Sequence, residues 1–155
     1  MRKKIFKAPK GGSFYEISAN EDYVTIKWAI DEYDNMSEEK LSDLYIDNFT
    51  MHIGNIPHIL EAMDYAFRAP MGRGDIKKCE SYGEEISCLS DTERGSVKRL
   101  TFGVEKDDNY QIFEIYTNPY DIRGEAAKRK YTPEMLWISK QLMGIYKKWE
   151  KEQNK

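Results

Sequence analysis

The chain has 155 residues, 40% of them hydrophobic and 13% aromatic, with a formal net charge of −3. That is about the length of one domain, with enough apolar material for a core, which excludes a disordered chain. No run approaches the roughly 18 apolar residues of a membrane span, and Lys7, Pro9 and Lys10 interrupt the basic start before any signal-like stretch, so the expectation is a cytoplasmic protein.

Lys4–Lys7 has the makings of a short leading edge strand, set off by Pro9, Gly11 and Gly12. Ser13–Ser18 and Tyr23–Ile30 then read as a hairpin around Ala19-Asn20-Glu21-Asp22. Pairing Ser18 with Tyr23 sets Ile17 opposite Val24 and Tyr15 opposite Ile26. That pairing puts Tyr15, Ile17, Val24, Ile26, Trp28 and Ile30 on one face, with Glu16, Thr25 and Lys27 on the other. The alternation predicts one buried face.

The next segment is acidic. Asp31, Glu32, Asp34, Glu38, Glu39, Asp43 and Asp47 stand against Lys40 alone, and Ser37 is placed to cap one helical turn. A further strand is expected over Leu44–Ile53. Asn55-Ile56-Pro57 then opens a helix, with Asn55 as cap and Pro57 in the first turn. Ile56, Ile59, Leu60, Met63, Ala66 and Phe67 form its apolar stripe, and Pro70 and Gly72 stop it.

After the Met71–Gly74 loop, a hairpin with Gly83-Glu84 as a type II′ turn would set Cys79 opposite Cys88. Two cysteines in a cytoplasmic chain are ordinarily reduced. If this register holds, however, their sulfurs are close enough to oxidise.

The most regular patterning lies in the last third. Val97–Val104 and Tyr110–Tyr116 flank Lys106-Asp107-Asp108-Asn109, with Leu100, Phe102 and Val104 on one face. Thr132 caps a final helix and Pro133 fills its first turn. Met135, Ile138, Leu142, Ile145, Tyr146 and Trp149 recur at steps of three and four, which predicts that Trp149 is buried. The order is β-β-β-α, a hairpin, then β-β-α. The class is therefore α+β: a single domain with an antiparallel sheet of hairpins and two amphipathic helices. Strands followed by a helix, twice over, is similar in outline to the single-strand-binding Whirly and PC4-like folds.

Chemistry is harder to find. The chain has no G-x-S-x-G, P-loop, G-x-G-x-x-G or H-E-x-x-H motif, so nothing argues for an enzyme and no cofactor or metal is expected. His52, His58 and Asp47 have the residue types of a metal or acid–base trio. His58 is offset from the apolar stripe, which argues instead for ordinary structural roles. Two binding readings remain. The first is a small regulator or inhibitor that docks a basic protein through Asp31, Glu32, Asp34, Glu38, Glu39 and Asp43, with tyrosines as interface formers. The second is a nucleic-acid module. Lys128, Arg129 and Lys130 before the last helix, with Arg73 and Arg123, would hold phosphates there, and Tyr120 and Tyr131 would stack on bases. The acidic net charge favours the first.

Overall fold

The computed structural model of the chain describes residues 4–7, 13–30, 47–68, 76–93, 97–117 and 131–155. It is an α+β fold with two antiparallel four-stranded meanders, each followed by a helix. The first sheet is β1 (Lys4–Lys7), β2 (Ser13–Asn20), β3 (Tyr23–Ile30) and β4 (Asp47–His52). A 3-10 turn, Ile53–Asn55, leads into helix α1 (Ile56–Arg68). The second sheet is β5 (Ile76–Ser81), β6 (Glu84–Glu93), β7 (Val97–Lys106) and β8 (Asn109–Thr117), and helix α2 (Pro133–Gln153) closes the chain. The leading strand and the middle hairpin therefore complete two sheets of equal size in place of one sheet of hairpins.

Two registers differ from expectation. The β2–β3 turn is only Glu21-Asp22, so Ile17 faces Ile26 and Tyr15 faces Trp28. This slip moves each partner by two residues, and because side chains alternate with period two the predicted buried face survives. The opposite face is not uniformly exposed, since Phe14, Glu16 and Ala29 on it are also buried. In the second sheet, Tyr82 and Gly83 form the β5–β6 turn with φ of 54° and 72°, a type I′ arrangement, where a Gly83-Glu84 type II′ turn was expected. Cys79 consequently faces Ile86 and Cys88 faces Lys77, so the cysteines are diagonal neighbours and no disulfide joins them. Diagonal positions lie about 7–8 Å apart, beyond disulfide reach without backbone movement.

The helices begin as their sequences dictate, with one exchange of roles. Thr132 Oγ1 accepts from the Met135 N–H to cap α2. Ahead of α1 the capping side chain is His52, whose Nδ1 accepts from the Gly54 N–H at 2.9 Å. Asn55, the expected cap, is fully buried and spends its amide protons on Ser81 and Glu84. The α1 stripe buries Ile56, Ile59, Ala62, Met63, Ala66 and Phe67, with Leu60 half-buried.

Each helix lies against the other half's strands. α1 packs on β6, β5 and β7, while α2 touches β1 and the 53–55 turn. One apolar core spans both halves. At its centre Phe113 stacks on Phe102 with centroids 4.2 Å apart and meets the edge of Phe49, from the first sheet, at 4.8 Å.

β4 and β8 end their respective sheets, and each is satisfied by side chains of the other sheet. The Thr50 N–H donates to Gln111 Oε1 at 2.7 Å, and the His52 N–H donates to the Glu84 carboxylate at 2.9 Å. In return the Trp28 Nε1–H donates to the Ile112 carbonyl at 3.2 Å and the Tyr15 hydroxyl to the Glu114 carbonyl at 2.9 Å. Unpaired edge groups that would template another strand are thus closed from inside the molecule. Among the described residues no helix is long and apolar enough to cross a membrane.

Candidate functional site

The turns of the two sheets gather around the 52–55 segment. A tyrosine at φ 54° is strained, since left-handed backbone suits glycine or asparagine. Its ring is what holds Tyr82 there. The ring stacks on His52 at 4.1 Å and 9°, and a Cβ built on Gly54 would lie 2.5 Å from it. Only glycine at position 54 admits so close a ring. His52 also meets the edges of Tyr23 (5.5 Å) and Trp149 (5.6 Å), and Trp149 Nε1 donates to Asp22 at 3.0 Å. Trp149 is half-buried, which corrects the expectation that it sits in the core. The helix end reaches the rim of the ring cluster, where its indole N–H meets an exposed carboxylate.

Glu84 follows this turn and is 2% exposed. Its carboxylate accepts from the His52 N–H (2.9 and 3.2 Å) and from Asn55 Nδ2 (2.7 Å). Beside it a cleft of about 170 Å³ opens where the sheets meet, lined by Tyr23, Thr50, Val104, Lys106, Asp107, Asn109 and Gln111 as well as Glu84. Lys106 Nζ donates to the Tyr23 hydroxyl at 3.2 Å and stands 5.4 Å from that ring's centroid. The lysine's pKa is raised, first by the hydroxyl and then by the charges of Glu84 and Asp107.

The outer face of the second sheet carries the sharpest electrostatic feature. Glu80 pairs with Glu85, Glu85 with Glu105, and Glu105 with Tyr110, so three glutamates and a tyrosine run in one row across four strands. Like charges directly opposite one another are unfavourable. Lys78 Nζ reaches Glu85 at 3.4 Å and offsets part of the repulsion. Tyr110 (61% exposed) ends the row, and Asp107 and Asp108 form the adjoining turn.

The residues singled out from sequence fall elsewhere. Asp31, Glu32, Asp34, Glu38, Glu39 and Asp43, the Ser37 turn, and the basic set Arg73, Arg123, Lys128, Arg129 and Lys130 all lie outside the described residues. Among the described residues no group of three or more His, Cys, Asp and Glu is placed to hold a metal ion. His52 is committed to its cap and ring stack. The cleft residues were hidden because they come from five strands and a turn spread over residues 23 to 111. The one local signal was Tyr82-Gly83 itself, an x-Gly pair that suits a type I′ turn.

No family model and no curated protein sequence matches the chain. Two solved structures align over most of it. One is the MRP1/MRP2 structure from Trypanosoma brucei, with 8% identity and a TM-score of 0.39 over 92% of this chain and 82% of that one. The other is the plant transcriptional regulator PBF-2, with 9% identity and a TM-score of 0.34 over 97% and 88%. At this level of similarity they carry no information about function.

Proposed function

We propose that the protein is a binding module, a regulator or inhibitor that docks a protein partner with a basic surface. The observation that carries this reading is the Glu80–Glu85–Glu105 row. A sheet face that had only to be solvated would gain by alternating charge signs; this one keeps like charges adjacent, and a basic partner relieves their repulsion on contact. The exposed ring of Tyr110 supplies rigid contact area at the end of the row.

The test is capture of partners from nuclease-treated lysate by the wild type and by a Glu80→Gln/Glu85→Gln/Glu105→Gln variant, followed by association kinetics with what is captured. The variant should associate several-fold more slowly and with a flatter salt dependence, because such charges act mainly on encounter. Equal capture and equal rates would sink the reading. Neutralising Asp34, Glu38 and Glu39 in parallel measures the share of the 31–47 segment.

A second reading is single-stranded nucleic-acid binding. It rests on Tyr23, His52 and Tyr82 lying ring against ring beside a sheet face bearing Thr25, Lys27, Asn48 and Thr50. Titration with labelled single-stranded oligonucleotide at low salt separates the two. Tight binding, lost when Arg123, Lys128, Arg129 and Lys130 are neutralised, would favour nucleic acid over a protein partner.

A further inference from the structure

The cleft between the sheets is built like a seat for a cation, and the chain already supplies one. Its wall is the Tyr23 ring, its floor is the buried Glu84 carboxylate, and its rim is Asp107 and Asn109. The Lys106 ammonium stands 5.4 Å from the Tyr23 ring centroid, at its hydroxyl edge, and donates to that hydroxyl. Yet lysine uses this seat incompletely. No hydrogen bond or ion pair joins Lys106 to Glu84 among those resolved, although the carboxylate's field reaches the ammonium. A planar guanidinium stacks on an aromatic ring and engages carboxylates with two parallel donors, where an ammonium acts as a point charge. A volume of about 170 Å³ accommodates the end of an arginine side chain.

We infer that this cleft is the anchor site for an arginine side chain of the basic partner, and that Lys106 is the internal occupant which that arginine displaces. This rests on the proposed docking function and specifies its chemistry. The cleft opens at the turn end of the second sheet, next to Asp107 and one residue pair from the Glu85–Glu105 step of the acidic row. Because side chains alternate along a strand, the row and the cleft lie on opposite faces of the sheet and meet at its turn end, so the arginine would come from a partner segment that wraps the Asp107-Asp108 turn. The expected signature is selectivity for arginine over lysine, with Lys106 as a competitor.

The experiment is a titration of the full chain with blocked arginine (N-acetyl-arginine amide), followed by amide NMR at Tyr23, Asn109 and Gln111. Blocked lysine and blocked citrulline, the uncharged isostere, are the comparison ligands. Arginine should give saturable shifts with a Kd on the order of 1 mM, lysine should bind more weakly, and citrulline should give none. Lys106→Met should tighten arginine binding several-fold and Asp107→Asn should weaken it several-fold; asparagine tolerates the positive φ of 51° at that turn position. Citrulline shifts equal to those of arginine, or no saturable shift even in Lys106→Met, would overturn the assignment. The two readings fail separately. Partner capture that persists while arginine does not bind removes the seat alone. Arginine binding without any row-dependent partner removes the docking function and leaves the seat.

Discussion

His52 performs four tasks with one side chain and one backbone N–H: it caps the 53–55 turn, stacks on Tyr82, meets two more rings, and ties β4 to Glu84. The ring's role as acceptor fixes its tautomer, because Nδ1 must carry a lone pair to receive the Gly54 N–H. His52→Phe keeps the stacking and loses the cap, so it should cost about 1 kcal/mol in a denaturant melt, and His52→Ala more. Gly54→Ala probes the same contact from below. Its Cβ would collide with the far end of the Tyr82 ring, which can swing outward into solvent. The expected cost is therefore the lost stack, about 1 kcal/mol, and not a full overpacking penalty. In a Tyr82→Gly background that cost should vanish, and a double-mutant cycle that shows simple additivity would refute the contact.

At the scale of elements, the two helices meet at a polar latch whose strength depends on pH. The Tyr131 hydroxyl donates to Asp64 Oδ1, and Arg68 Nε bridges to the same oxygen at 3.1 Å. Burial, then the hydrogen bond to Asp64, raises the Tyr131 pKa above its ordinary value of about 10. A raised pKa in the folded state means that the stabilisation is complete below about pH 10 and is lost as pH rises through the folded value. Denaturant midpoints should fall on going above about pH 10, and Tyr131→Phe should flatten part of that slope. The latch was partly legible in advance: Thr132 and Pro133 announced where α2 begins, because capping and a first-turn proline are local rules. The β5–β6 turn was not, because Tyr82-Gly83 and Gly83-Glu84 are both chemically acceptable turns. The choice between them is made by the ring pocket over Gly54, which lies 28 residues upstream of Tyr82. Likewise, nothing local distinguishes one sheet of hairpins from two sheets. That division depends on β4 and β8 finding side chains of the opposite half instead of each other's backbones.

For the molecule as a whole, the charge distribution sets stability against binding. Glu105 faces Glu85 across the ladder on one side and Tyr110 on the other. Glu105→Lys would turn a repulsive pair into an attractive one and should raise stability by about 0.5–1 kcal/mol. The same change should slow association with a basic partner. A variant that gains stability and binds unchanged would show that the row is only a solvated face. The inner edges are more costly to disturb. Gln111→Leu should lose about 1–2 kcal/mol, because it strands the Thr50 N–H against an apolar group.

The reciprocal closure of β4 and β8, with each helix lying on the other half's strands, makes neither half a self-sufficient object. A polypeptide cut between residues 69 and 75 would yield two fragments, each with a bare strand edge and an apolar floor missing its roof. Alone, each fragment would be expected to self-associate or stay unfolded. Mixed together, they contain every group needed to complete one another, so the pair should assemble into the native form from separate chains. The halves share an architecture, yet folding is a joint event. Its slow step should be the meeting of segments far apart in the chain, such as Thr50 with Gln111 and Tyr15 with Glu114.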